Sequence, residues 1–60
     1  MRLSLPNDPV MLLSVVNTAL RDKYSSLEDY AESENFDLTS VEDKLSQIGY
    51  SYNKEQNKFV

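Results

Sequence analysis

The side chains in this chain that could do chemistry are mostly carboxylates. Glu28, Asp29, Glu32, Glu34, Asp37, Glu42 and Asp43 follow one another with no Lys or Arg between them. Paired carboxylates can act as general acid and base, and Ser or Lys can act as nucleophiles. Each needs a pocket that desolvates or pairs it, and a chain of 60 residues has a core too small to enclose one readily. Neither Cys nor His occurs, which removes thiol and imidazole catalysis, disulfide staples, and zinc and haem sites. With Gly49 as the single glycine, there is no Gly-rich loop to cradle a phosphate. A calcium loop needs oxygens at fixed offsets and a Gly at its sharp turn. Glu32-Ser33-Glu34-Asn35-Phe36-Asp37 has no Gly and an intervening Phe. The expectation is a protein that is not an enzyme, with no cofactor and no metal site.

Charge narrows the partners. Ten acids against six bases give −4, and the bases Arg2, Arg21, Lys23, Lys44, Lys54 and Lys58 are spread along the chain rather than gathered. A polyanion is repelled by such a chain unless its cations share one face. The start, Met-Arg-Leu-Ser-Leu-Pro, lacks the apolar stretch and cleavage site of a signal peptide. The most apolar run, Val10 to Val16, is interrupted by Ser14 and is too short to span a bilayer. A cytoplasmic protein without a membrane segment is expected. Hydrophobic content of 40% with 27% charge is an ordinary globular balance, expected to form one small domain over residues 1–60.

Three helices and a hairpin are legible as the elements that position these groups. Asp8 reads as a cap and Pro9 as the first helical residue, because proline forfeits no hydrogen bond there. The helix from Pro9 to about Tyr24 places Leu12, Leu13, Val15, Val16, Ala19, Leu20 and Tyr24 over nearly half its circumference at about 100° per residue. Ser14, Asn17, Thr18 and Arg21 fall opposite, and Val10 and Met11 lie outside the main stripe. Ser25 with Glu28 fits a capping box for a short second helix reaching Ser33 or Glu34, with Leu27, Tyr30 and Ala31 inward. The third helix starts either at a Thr39–Glu42 box or at an Asp37 cap, with Phe36 stapled onto Val41. Its stripe is Leu38, Val41, Leu45 and Ile48. Gly49 ends it in the left-handed conformation, letting Tyr50 fold back onto Leu45. Tyr50 to Asn53 and Lys58 to Val60 read as two short strands around a four- or five-residue loop, and Leu3 with Leu5 as a candidate third strand. Most of the aromatic residues are expected to line the core.

The fold class that results is mainly α, a three-helix core resembling a helix-turn-helix with a short C-terminal β-hairpin. In a winged helix-turn-helix the last helix reads bases. Here that helix offers Thr39, Ser40, Glu42, Asp43, Ser46 and Gln47 beside Lys44, and its two carboxylates oppose phosphate binding. The run Leu5-Pro6-Asn7-Asp8-Pro9-Val10-Met11-Leu12-Leu13-Ser14-Val15-Val16-Asn17 carries a family likeness. So do Leu20-Arg21-Asp22, Ser26-Leu27, Lys44-Leu45, Ile48-Gly49-Tyr50 with Tyr52, and Asn57 with Phe59. Together they resemble the small bacterial family known as domain of unknown function 4250, over nearly the whole chain. The resemblance implies a bacterial, stand-alone cytoplasmic protein and brings no activity, ligand or catalytic residue with it.

The functional expectation is therefore a small protein-interaction or structural module. The first helix carries more apolar circumference than two short helices can cover, so it is the candidate surface for a homodimer or another protein partner. Val10, Met11 and Val15 are the candidate interface residues. The competing monomeric reading has the hairpin and the N-terminal segment covering that strip. A nucleic-acid-binding regulator of winged helix-turn-helix type is the alternative function, and the charge balance argues against it.

Overall fold

The computed structural model describes residues 5–60 and contains α1 (Pro9–Asp22), α2 (Leu27–Glu34), α3 (Leu38–Ser46), β1 (Tyr52–Asn53) and β2 (Lys58–Phe59) in chain order. The expected mainly α core with a C-terminal hairpin is what forms. Of the candidate third strand, Leu3 lies outside the described residues. Leu5 belongs to no strand and packs half-buried against the core.

Local chemistry sets each helix boundary. The Asp8 carboxylate accepts from the Met11 N–H at 3.0 Å, and Pro9 opens α1. The helix stops two residues short of Tyr24, whose N–H, like that of Lys23, bonds the Ala19 carbonyl. The cap of α2 is one residue later than expected: the Ser26 hydroxyl accepts from the Asp29 N–H at 3.0 Å, while the Asp29 carboxylate accepts from the N–H of Ser25, the residue before the cap, at 3.3 Å. Ser26 in place of Ser25 makes Leu27 the first helical residue, and that side chain is 2% exposed. Asn35 closes α2 in the left-handed region at φ 56°, a conformation Asn tolerates better than most residues.

Of the two candidate starts for α3, Asp37 is the cap, accepting from the Thr39 N–H at 3.1 Å and the Ser40 hydroxyl at 3.2 Å. Beyond Ser46 the chain turns through Gly49 at φ 83°. The Tyr50 N–H then reaches the Leu45 carbonyl and the Gly49 N–H the Ser46 carbonyl, both at 3.0 Å. This is the Schellman pattern that satisfies orphan carbonyls at a helix end. A Cβ on Gly49 meets nothing within 4 Å, so backbone conformation alone favours glycine there. Only the Tyr50 backbone folds back onto Leu45; its ring stays exposed and does not line the core.

The core is the line where these faces meet. Leu12, Val16 and Leu20 of α1 join Leu27 and Tyr30 of α2, Val41 and Leu45 of α3, and Phe59 of β2. The hairpin pairs Tyr52 with Phe59 and Asn53 with Lys58 in antiparallel register, and Ser51 and Val60 exchange both backbone bonds beyond it. Its loop is shaped by asparagines: Asn53 accepts from the Gln56 N–H at 3.0 Å, and Asn57 sits at φ 54°.

Two carboxamides fasten this hairpin to α1. The Asn17 side chain accepts from the Phe59 N–H at 2.8 Å and donates to the Phe59 carbonyl at 3.2 Å, pairing with β2 as a strand would. The Asn57 side-chain amide donates to the carbonyls of Leu20 and Tyr24, both at 3.0 Å. It thereby supplies donors that the end of a helix lacks. The Tyr52 hydroxyl donates to the Asn57 carboxamide oxygen at 2.5 Å and accepts from the Leu27 N–H at 3.2 Å. Asn17 is therefore not on a solvent-facing side of α1 as periodicity suggests; it is half-buried under the hairpin.

Candidate interaction surface

With the hairpin seated over the Asn17 flank, the opposite margin of α1 stays open. Met11 is 60% exposed and Val15 41%. At spacing i, i+4 the two are stacked on one face. Val10 is 64% exposed, but its angular position is about 100° away from Met11. All three candidate interface residues, Val10, Met11 and Val15, are exposed, with Met11 and Val15 one turn apart on one strip.

The strip continues into a groove of about 540 Å³ whose apolar lining includes Leu5, Pro6, Val15, Ala19, Tyr24 and Tyr30. Asp22, Lys23 and Glu34 also line it. Tyr24 stacks on Tyr30 with ring centroids 4.7 Å apart, and Phe36 meets Tyr30 edge-on at 4.8 Å. The Tyr24 hydroxyl donates to Glu34 at 2.6 Å, tying the end of α1 to the end of α2. That bond to a carboxylate, with some burial, pushes the Tyr24 phenol up to about 12. Burial, then the nearby Glu34 charge, also raises Tyr30. The groove is apolar over most of its lining, with Asp22, Lys23 and Glu34 as its charged edge.

The acidic stretch is used structurally. Asp29 and Asp37 serve helix N-termini, and Glu34 holds Tyr24. Among the described residues no group of three or more His, Cys, Asp or Glu side chains is placed to hold a metal ion. The outward side of α3 exposes Thr39, Ser40, Glu42, Asp43, Ser46 and Gln47. Several of its donors are engaged within the helix or its cap, with Ser40 bonded to Asp37 and Ser46 to the Asp43 carbonyl. The Lys44 ammonium donates to the Asn7 side chain at 2.8 Å.

The family described as domain of unknown function DUF4250 matches residues 6–59. The chain belongs to that family. No curated protein and no solved structure matches it. In this DUF4250 chain, several residues that carry the likeness fasten the hairpin, Asn17, Asn57 and Phe59 to α1 and Tyr52 to α2. Hydrophobic periodicity assigns Asn17 and Asn57 to solvent or loop, so their part in the fold was missed by it. The Tyr24–Glu34 contact was missed as well, because no local pattern links a helix end to a residue ten positions later. Among the described residues of the DUF4250 chain, no helix is long and apolar enough to cross a membrane.

Proposed function

We propose that this DUF4250 protein is a non-catalytic interaction module of the cytoplasm that self-associates through the Met11–Val15 margin of α1. One observation carries the reading: two large apolar side chains one turn apart, 60% and 41% exposed, run into an apolar groove rather than standing alone. Isolated exposed apolar residues are normal, whereas a contiguous patch on a small domain points to a partner. A second copy offers a like strip, and two such strips pack across a twofold axis with each copy contributing the same residues. Small domains commonly extend a thin core in this way.

Sedimentation equilibrium at high micromolar concentration tests this. The expected mass is twice the 6.9 kDa chain mass, falling to that of one chain in Met11→Glu and Val15→Glu. Val10→Glu is expected to leave the dimer intact. A wild-type chain that sediments as a monomer throughout overturns self-association. Electrostatics weigh against the nucleic-acid alternative, since α3 turns Glu42 and Asp43 outward while Asn7 engages Lys44. Flow-through on heparin at low salt is the expected behaviour.

A further inference from the structure

A second cleft, of about 480 Å³, lies between the later turns of α1 and the hairpin loop. Its polar lining is Asn17, Thr18, Arg21, Gln56, Asn57 and Lys58, with no carboxylate among the residues that form it. That is unusual for this surface. The apolar groove includes Asp22 and Glu34, and a third cleft between α2 and the start of α3 includes Glu28, Asp29 and Glu32. In a chain of net charge −4, the α1–hairpin cleft combines two cations from different elements with neutral donors.

We propose that this cleft binds a phosphate group, either free or as the monoester of a small molecule. Asn17 and Asn57 form a firm base, because their carboxamides are already committed to the Phe59 backbone and to the Leu20 and Tyr24 carbonyls. Arg21 and Lys58 supply charge from α1 and β2, and the Thr18 hydroxyl and Gln56 carboxamide supply neutral donors. Arg21 is partly occupied: its Nε and Nη2 donate to the two Asp22 carboxylate oxygens at 2.8 and 3.2 Å. A guanidinium has five N–H groups, so three are left over after that fork. The pair is solvent-accessible, with side chains 75% and 49% exposed. Asp22 therefore competes with the ligand for Arg21 without blocking the cleft.

The test is an amide chemical-shift titration of the full chain at constant ionic strength near pH 8. One arm uses inorganic phosphate and the other methyl phosphate, with chloride as the reference. Saturable shifts centred on Thr18, Arg21, Gln56 and Lys58 support the site. Tighter binding of methyl phosphate assigns it to monoesters, and equal or weaker binding assigns it to the free ion. Arg21→Met and Lys58→Met are each expected to weaken binding about five- to tenfold. Asp22→Asn is expected to strengthen it, an opposite sign that loss of folding cannot mimic. Lys54→Met and Met11→Glu are expected to change nothing, which separates this site from the self-association surface. Shifts that fail to saturate, that centre on other lysines, or that persist unchanged in both cation variants overturn the proposal.

Discussion

Replacing Asn57 with Ala removes three hydrogen bonds and puts at φ 54° a residue that tolerates the left-handed region less well than Asn. The Leu20 and Tyr24 carbonyls lose the Asn57 donors, and the Tyr52 hydroxyl keeps the Leu27 N–H but loses its acceptor. Buried polar groups left unpaired cost more than the bonds were worth. A loss of about 2–4 kcal/mol is expected for Asn57→Ala by urea denaturation. Asn57→Gly keeps the backbone conformation accessible and is expected to lose about 1 kcal/mol less. Equal losses in the two variants would show that the backbone contributes nothing. At this scale the sequence was least informative. The cap at Asp8 and the stop at Gly49 are local and could be read directly, whereas Asn17 and Asn57 act on partners far away in the chain. Polar residues on a helix or in a loop look solvated until the tertiary structure supplies the backbone they bind.

The Tyr24–Glu34 bond ties the end of α1 to the end of α2. It holds the Tyr24 proton, raising the phenol from 10.0 to about 12. The sign follows from linkage. As pH rises past 10 the unfolded chain releases this proton first, so the folded state binds more protons and stability falls until about pH 12. Urea midpoints compared at about pH 8, 10 and 11.5 are expected to fall less steeply for Tyr24→Phe than for the wild type. Some slope persists from Tyr30, which is shifted the same way. The helices themselves were legible because cap residues, periodicity and Gly49 agree. The displaced cap at Ser26 shows where local reading fails: two adjacent serines offer two registers, and the hydroxyl that accepts the Asp29 N–H is that of Ser26. In α3 two registers were open as well, and the Asp37 carboxylate takes the cap by accepting from both the Thr39 N–H and the Ser40 hydroxyl.

Across the whole molecule, one small core must hold three helices and a hairpin. Phe59 is 2% exposed and lies where α1 and the hairpin meet. Phe59→Ala is expected to cost about 3–5 kcal/mol, comparable to the whole stability of a domain this small. Heating scans should show a shallow or absent transition; a cooperative unfolding close to that of the wild type would place the core elsewhere. The excess apolar girth of α1 was visible in the sequence, and the hairpin covers one of its two flanks. Which flank stays open was not legible, since it depends on Asn17 turning an apparently polar side toward β2.

The Asn17–Phe59 pairing spans 42 positions, which has a bearing on synthesis. A ribosome finishes α1 long before it has made the strand that α1 needs for shelter. The nascent helix therefore waits with Leu20, buried beside the hairpin in the finished fold, unprotected, and locking-in awaits release of the hairpin from the exit tunnel. Chains stalled before Phe59 should be the ones that chaperones hold and proteases clear.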